Sequence, residues 1–257
     1  MSYGLGIKVE DGLIFAADNR TNAGIDHVSA ARKMHVFERT GERFLVLITA
    51  GNLSVTQALL HRLNAEGEPT KKLDKGSERS LLKAPSLFAC AEAVGHALRE
   101  IERTEAAPLA RHGVPFDVSL ILGGQIKGEK PRLFLIYPPG NFVEAADDAP
   151  YVQIGERKYG KPILDRTVTL KTPLATAAKA ALLSFDATIR SNAAVGLPID
   201  LMAYVRDSFS GAVERRMGAD DPYLRTLRTR WAESLAQGFA AMPEPDWITY
   251  RLKNHSR

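Results

Sequence analysis

Residues 2–20, SYGLGIKVEDGLIFAADNR, decide how this chain folds. Leu5, Ile7 and Val9 alternate with Gly4, Gly6 and Lys8, so successive side chains fall on opposite faces of a strand. Asp11-Gly12 separates that run from the apolar Leu13-Ile14-Phe15-Ala16-Ala17, and Asp-Gly between two apolar runs is the strongest short-range hairpin signal. Ser2 therefore begins a strand rather than a floppy leader. Once Met1 is removed, Ser2 carries a hydroxyl nucleophile and a free α-amine on one residue. An unperturbed α-amine titrates near pH ~8, close enough to neutrality to take the hydroxyl proton.

Working outward, a second strand pair is predicted from Lys33 to Glu38 and from Phe44 to Thr49, with a turn at Thr40-Gly41-Glu42 and a break at Gly51-Asn52. Helices are expected over Ser54 to Ala65 and Pro85 to Arg103, the latter carrying Leu87, Ala91, Val94, Leu98 and Ile101 at helical period, with a polar, Lys-rich link between them. Phe116 to Leu122 and Leu133 to Tyr137 read as strands joined through Gly123-Gly124 and Lys130-Pro131, and Pro139-Gly140-Asn141 turns the chain again. Tyr151 to Ile154 is a short strand, Gly155 to Leu164 a short helix, Leu174 to Arg190 an Ala-rich helix and Ile199 to Val205 a strand. Strands, two helices, strands, two helices and strands in that order predict an α+β fold in which two helical layers cover a two-sheet sandwich. A last helix is expected from Asp220-Asp221-Pro222 through Phe239. No shift in composition marks a boundary, so residues 1–257 read as one domain, with a core over about 2–206 and a C-terminal helical extension over about 207–257.

Composition narrows the function. The single cysteine, Cys90, lies in an apolar helical pattern, which excludes a disulfide framework and makes a reducing cytosolic compartment the default. MSYGLGIKVE has no basic, apolar leader pattern, and no run approaches the roughly 20 apolar residues that span a bilayer, so a cytoplasmic protein without membrane partners is expected. A net charge of +4 is scattered among acids, which leaves nucleic-acid binding without support. The six histidines show no zinc-site spacing, and no metal or cofactor is expected. No phosphate-binding G-x-x-x-x-G-K-[ST] loop is present, so any unfolding ATPase is a separate partner.

Taken singly, Asp18 reads as a cap at a strand end, Lys33 as a solvated lysine and Gly51 as a helix-entry glycine. Together with Ser2 they make a chemical set. Lys33 supplies a cation that lowers the pKa of the Ser2 amine or hydroxyl, and Asp18 orients and neutralises the lysine. Gly51 offers a backbone N–H with no side chain in the way, as an oxyanion donor requires; such a donor contributes on the order of 3 kcal/mol.

The hairpin behind Ser2, Ala16-Ala17-Asp18-Asn19-Arg20 running on to Gly24, the basic pair Arg32-Lys33 and Ala50-Gly51 closely resemble the start of a proteasome-type β subunit, an N-terminal nucleophile hydrolase. The stretch Arg20 to His27, Arg32-Lys33-Met34-His35-Val36-Phe37, Asp221-Pro222-Tyr223 and Pro243 to Trp247 are similar to the bacterial branch called Anbu, the ancestral β subunit. The resemblance implies a four-layer αββα sandwich acting on a peptide or protein substrate, with Ser2 as nucleophile, its α-amine or a bound water as base, Asp18 and Lys33 in support and the Gly51 N–H in the oxyanion hole. It also implies a structural Arg20, homo-oligomeric rings or open spirals, and a link to peptide-tagging enzymes.

This chain departs from the family pattern in three places. Serine replaces the usual threonine and so lacks the methyl that restricts its rotamer. Gly155-Glu156-Arg157 and the segment from Arg190 to Gly196 stand where the family keeps a supporting Ser and Asp-Ser pair, with Glu156 and Ser191 as candidate stand-ins. An oligomeric scaffold with little proteolysis, and an amidase for small molecules, stay open beside the peptidase.

Overall fold

A computed structural model describes residues 2–22, 28–65 and 80–248. Met1, residues 23–27 of the Arg20 to His27 motif and nearly all of the Lys-rich link lie outside the described residues. Strands β1 (Tyr3–Val9) and β2 (Gly12–Asp18) form the expected hairpin, with Val9 paired to Gly12 so that Glu10 and Asp11 make the loop. Gly12 sits at φ +151°, and a Cβ there would lie 1.9 Å from the Tyr204 carbonyl oxygen. Glycine is what lets the hairpin pass under its neighbour.

After a small ribbon of β3 (Arg20–Asn22) and β4 (Val28–Ala30), β5 (Met34–Arg39) pairs antiparallel with β6 (Arg43–Gly51). Leu45 and Leu47 of β6 pack toward α1 (Leu53–Ala65) and α2 (Leu87–Arg111), while Phe44, Val46, Ile48 and Ala50 pack against the opposite sheet. A strand buried on both faces needs no polar alternation, which explains the apolar run of β6.

The chain continues through β7 (Val118–Ile126), β8 (Arg132–Ile136), β9 (Phe142–Glu144), β10 (Tyr151–Gly155), α3 (Lys161–Thr167), α4 (Leu174–Ser191), β11 (Ile199–Val205) and β12 (Val213–Met217). One five-stranded sheet has the order β10-β1-β2-β11-β12 and the other β5-β6-β7-β8-β9, and every pairing is antiparallel. Phe15, Val46, Ile121, Leu133, Ile154 and Met202 fill the space between the sheets. Helices α1 and α2 cover one sheet, and α4, with α3 alongside, covers the other through Ala177, Ala181, Ser184, Phe185 and Thr188 at helical spacing. This is the αββα sandwich, and it lies wholly within the unit formed by residues 1–219.

Several local expectations give way to packing. Gly123-Gly124 continues β7 instead of ending it, because a Cβ on Gly123 would meet Leu133 and the Phe15 ring at 2.8 Å, and one on Gly124 would meet the Phe44 carbonyl at 2.1 Å. Close approach to Phe15 of the facing sheet at Gly123 and to the neighbouring strand β6 at Gly124, and no turn, requires these glycines. Helix α2 runs past Arg103 and through Pro108, whose missing N–H falls in the last turn. It ends where Gly113 adopts φ +68° and the N–H groups of Gly113 and Val114 reach the carbonyls of Ala110 and Leu109, both at 3.0 Å. The short helix after β10 starts at Lys161, later than expected, since Gly155 packs against the Ser2 carbonyl and the Glu156 N–H is bonded to it. Strand β9 is too short, and β12 too polar, to signal itself.

The second unit, residues 220–257, contains α5 (Pro222–Ala240). Asp221 caps it by accepting the Leu224 N–H at 2.8 Å, with Pro222 in the first turn as expected. Tyr223, Leu235 and Phe239 are exposed on it.

Candidate active site

The hairpin carries Asp18 to the end of β2, where the carboxylate is fully buried. Its Oδ1 accepts the Tyr3 N–H at 3.0 Å and the Lys33 Nζ at 2.7 Å, and its Oδ2 accepts the Gly196 N–H at 3.5 Å. Lys33 precedes β5. Its ammonium also donates to the Arg20 carbonyl at 2.6 Å, and its own carbonyl accepts the Thr49 N–H at 2.9 Å, which ties it to the strand ending in Gly51. Burial pushes the Asp18 carboxyl up and the Lys33 ammonium down, and in each case the partner's opposite charge opposes the shift.

Ser2 is held from the other side. Its carbonyl accepts the Glu156 N–H at 2.8 Å, and Gly155, at φ +74°, passes so close that a Cβ would lie 1.9 Å from that oxygen. Glu156 is buried. Its carboxylate accepts the Asn192 Nδ2 at 2.9 Å and the Lys158 N–H at 3.2 Å, while Asn192 Oδ1 accepts the Ala194 N–H at 2.9 Å. Arg20 closes the ring by donating to the Ala193 carbonyl at 2.7 Å, with its guanidinium against Gly196. Hydrogen bonds thus run from Ser2 through Glu156, Asn192 and the 192–196 loop to Asp18 and back to Tyr3.

The next residue anchors the strand inside the molecule. Tyr3 is buried against Phe185, with ring centroids 4.3 Å apart, and its hydroxyl bonds Gln153 at 2.7 Å and Ser184 at 3.1 Å. Burial pushes that phenol up to about 12, so it stays protonated. Ser2 and Gly51 line one cavity of about 290 Å³ with Asp117, Gln153 and Arg157 among its other walls. Gly51 has φ +110°, and a Cβ would come within 2.2 Å of the Asp117 carbonyl oxygen, so only glycine closes this wall.

Of the residues singled out from sequence, Asp18 and Lys33 are bonded, Ser2 and Gly51 face the same cavity, and Arg20 braces the loop beside them. Of the two candidate stand-ins, Glu156 touches Ser2, whereas Ser191 is exposed at the end of α4. Gln153 and Asp117 carry no sequence signal, while Arg157 and Asn192 lie in the two departing segments, Gly155-Glu156-Arg157 and Arg190 to Gly196, without being singled out there. Cys90 lies on the buried face of α2, where burial pushes the thiol up to about 12 and so keeps it protonated. Among the described residues, no group of three or more His, Cys, Asp or Glu is placed to hold a metal, and no helix is long and apolar enough to cross a membrane.

Neither a protein-family model nor a curated protein matches the chain. Solved structures do. Anbu from Hyphomicrobium sp. strain MC1 is 45% identical, with 95% of this chain and 99% of that one covered at a TM-score of 0.85. Anbu, the ancestral β subunit, from Yersinia bercovieri is 44% identical, with 95% and 98% covered at 0.86. A helical assembly of the Anbu complex from Pseudomonas aeruginosa is 42% identical, with 95% and 98% covered at 0.87. Identity of this order over nearly the whole of both chains, on a sandwich that buries the Asp18–Lys33 pair behind its N-terminal strand, places the protein in a family: the chain belongs to Anbu, the ancestral branch of the proteasome-type β subunits.

Proposed function

We propose that this chain is a proteasome-like peptidase of the N-terminal nucleophile class, working in the cytoplasm on peptide or protein substrates. After Met1 is removed, the Ser2 hydroxyl attacks the substrate carbonyl and its proton passes to the α-amine. The Oγ–acyl bond forms, the proton moves to the leaving nitrogen and the C–N bond breaks; water then attacks the acyl ester and restores the hydroxyl. Lys33 holds a positive charge that favours the neutral amine, Asp18 keeps that lysine charged, and the Gly51 N–H takes the developing oxyanion. The observation that carries this reading is spatial. Ser2 and Gly51 line one cavity, and the residue after Ser2 is bonded through its N–H to the Asp18–Lys33 pair.

The experiment is to confirm Met1 loss by mass spectrometry and treat the mature chain with a peptide epoxyketone. An adduct on Ser2 that Lys33→Ala abolishes supports the mechanism. No adduct, and no turnover across a broad peptide panel, sinks it.

A second reading is an oligomeric scaffold with weak or no proteolysis. It is favoured by the exposed position of Ser191 and by the solved helical assembly of the P. aeruginosa protein. We read this chain as a homo-oligomer, ring or open spiral, in either case, with residues 1–257 acting as one proteasome-β-like subunit and any ATPase or peptide-tagging enzyme as a separate partner. A monomer by light scattering at micromolar concentration contradicts the assembly. A cellular phenotype that Ser2→Ala leaves unchanged favours the scaffold over the enzyme.

A further inference from the structure

The cavity shared by Ser2 and Gly51 counts residues of opposite charge, Arg157 and Asp117, among those that line it. Arg157 stands on the Ser2 wall, two residues after Gly155, in the segment whose Glu156 N–H holds the Ser2 carbonyl at 2.8 Å. Asp117 stands on the Gly51 wall, where its carbonyl accepts the Asn52 N–H at 2.6 Å. Other cations around Ser2 are occupied: Lys33 by Asp18 and the Arg20 carbonyl, and Arg20 by the Ala193 carbonyl. Among the described residues, neither Arg157 nor Asp117 takes part in an ion pair, so both charges are free to meet a ligand. Between them the lining is apolar at Ala50, Leu135 and Ile154, with the buried Gln153 amide held by its bond to Tyr3. At about 290 Å³ the cavity is at the small end of ligand pockets and holds a residue or two of a substrate rather than a long segment.

A guanidinium presents a planar fork that matches a carboxylate with two parallel hydrogen bonds, and one with no partner beside a nucleophile is a ready anchor. The opposed Asp117 repels a carboxylate from the Gly51 wall, so the two charges together fix which way round a charged substrate lies. We propose that this cavity selects peptides bearing a carboxylate beside the bond to be cut, with Arg157 as the specificity-determining residue and Asp117 rejecting the inverted pose. The cleavage part rests on the peptidase reading above; the binding part does not. The carboxylate is either an Asp or Glu side chain or a free C-terminus.

The test uses the full chain, with Met1 removed and Ser2→Ala introduced so that binding is read without turnover. Calorimetric titration compares four short peptides of one sequence, with Glu or Gln at one position and a free or amidated C-terminus. Peptides with the recognised carboxylate are expected to bind about tenfold tighter than their amide counterparts. The gap should vanish in Arg157→Ala and reverse in favour of the uncharged counterparts in Arg157→Glu. Whether it follows Glu against Gln or acid against amide identifies the source. Arg157 is exposed, so thermal melts of both variants should match the parent. Equal binding of all four peptides, none measurable included, or a gap that survives Arg157→Ala, overturns the proposal. Peptide turnover by the Ser2 chain is measured separately: binding preference without turnover removes the peptidase reading alone, and turnover without charge preference removes this proposal alone.

Discussion

Asp18 and Asp200 are buried acids on neighbouring strands, β2 and β11, yet they are served in different ways by the adjacent cations Lys33 and Arg32. Both oxygens of Asp18 accept hydrogen bonds, and its lysine is nearly as buried as it is, with 9% of the side chain exposed. Asp200 Oδ2 has no hydrogen-bond partner. Its nearest cations are Arg32 at 3.9 Å and Arg216 at 3.6 Å, both about half exposed, at 54% and 51%. A compact ammonium can be enclosed beside the N-terminal strand, whereas the longer guanidinium of Arg32 stays at the surface and also reaches Glu214. The first arrangement holds a charge behind the strand that follows Ser2. The second straps the segment before Lys33 to β11 and β12 through water-screened attraction.

The sharpest way to break this comparison is to empty the enclosed site. Lys33→Met leaves Asp18 buried without its cation, which should cost about 3–5 kcal/mol in denaturant unfolding and abolish labelling of Ser2. A loss below about 1 kcal/mol would mean that water reaches Asp18 and that the pair is no more enclosed than the one at Asp200. Titration reaches the same pair more gently. Because burial raises the folded-state pKa of Asp18, the folded chain keeps that proton in a window where the unfolded chain has lost it. The contribution of Asp18 is therefore most favourable below the ordinary carboxylate range and falls as pH rises through the raised value. Asp18→Asn should flatten that part of the stability-against-pH curve, and labelling of Ser2 in the parent should fail on acidification at a pH above the ordinary aspartate range. A curve unchanged by Asp18→Asn contradicts the shift.

The enclosed pair could be read from sequence because its chemistry is local: the hairpin signal at Asp11-Gly12 sets the end of β2, and a lysine follows fifteen residues later at the start of the next strand pair. Layer order was legible for the same reason, since helical and strand periods change cleanly along the chain. What approaches Ser2 from far along the chain was legible only in part. Glu156 stands out because its segment departs from the family pattern, whereas Asn192, which bonds Glu156 from the end of α4, has no periodicity that announces its contact. Gly123-Gly124 looked like a turn because glycine's two uses, freedom of φ and absence of a Cβ, are indistinguishable until the Phe15 ring is seen against it. Asp117 and Arg157 look like ordinary surface charges, and their shared cavity exists only once β6, β7 and β10 are assembled.

The smallest effect is expected at the strap. Arg32→Ala removes an exposed guanidinium from Asp200 and Glu214, but Arg216 and water remain beside Asp200, so the loss should stay below about 1 kcal/mol. For a chain of this size that is a fall of at most about 2–4 °C in Tm, and it should shrink further in high salt because the charges are screened. The rate of Ser2 labelling should stay within about twofold of the parent. A salt-independent loss, or a collapse of Ser2 reactivity like that of Lys33→Met, would show that Arg32 holds Lys33 in place and that the two acids share one network instead of two.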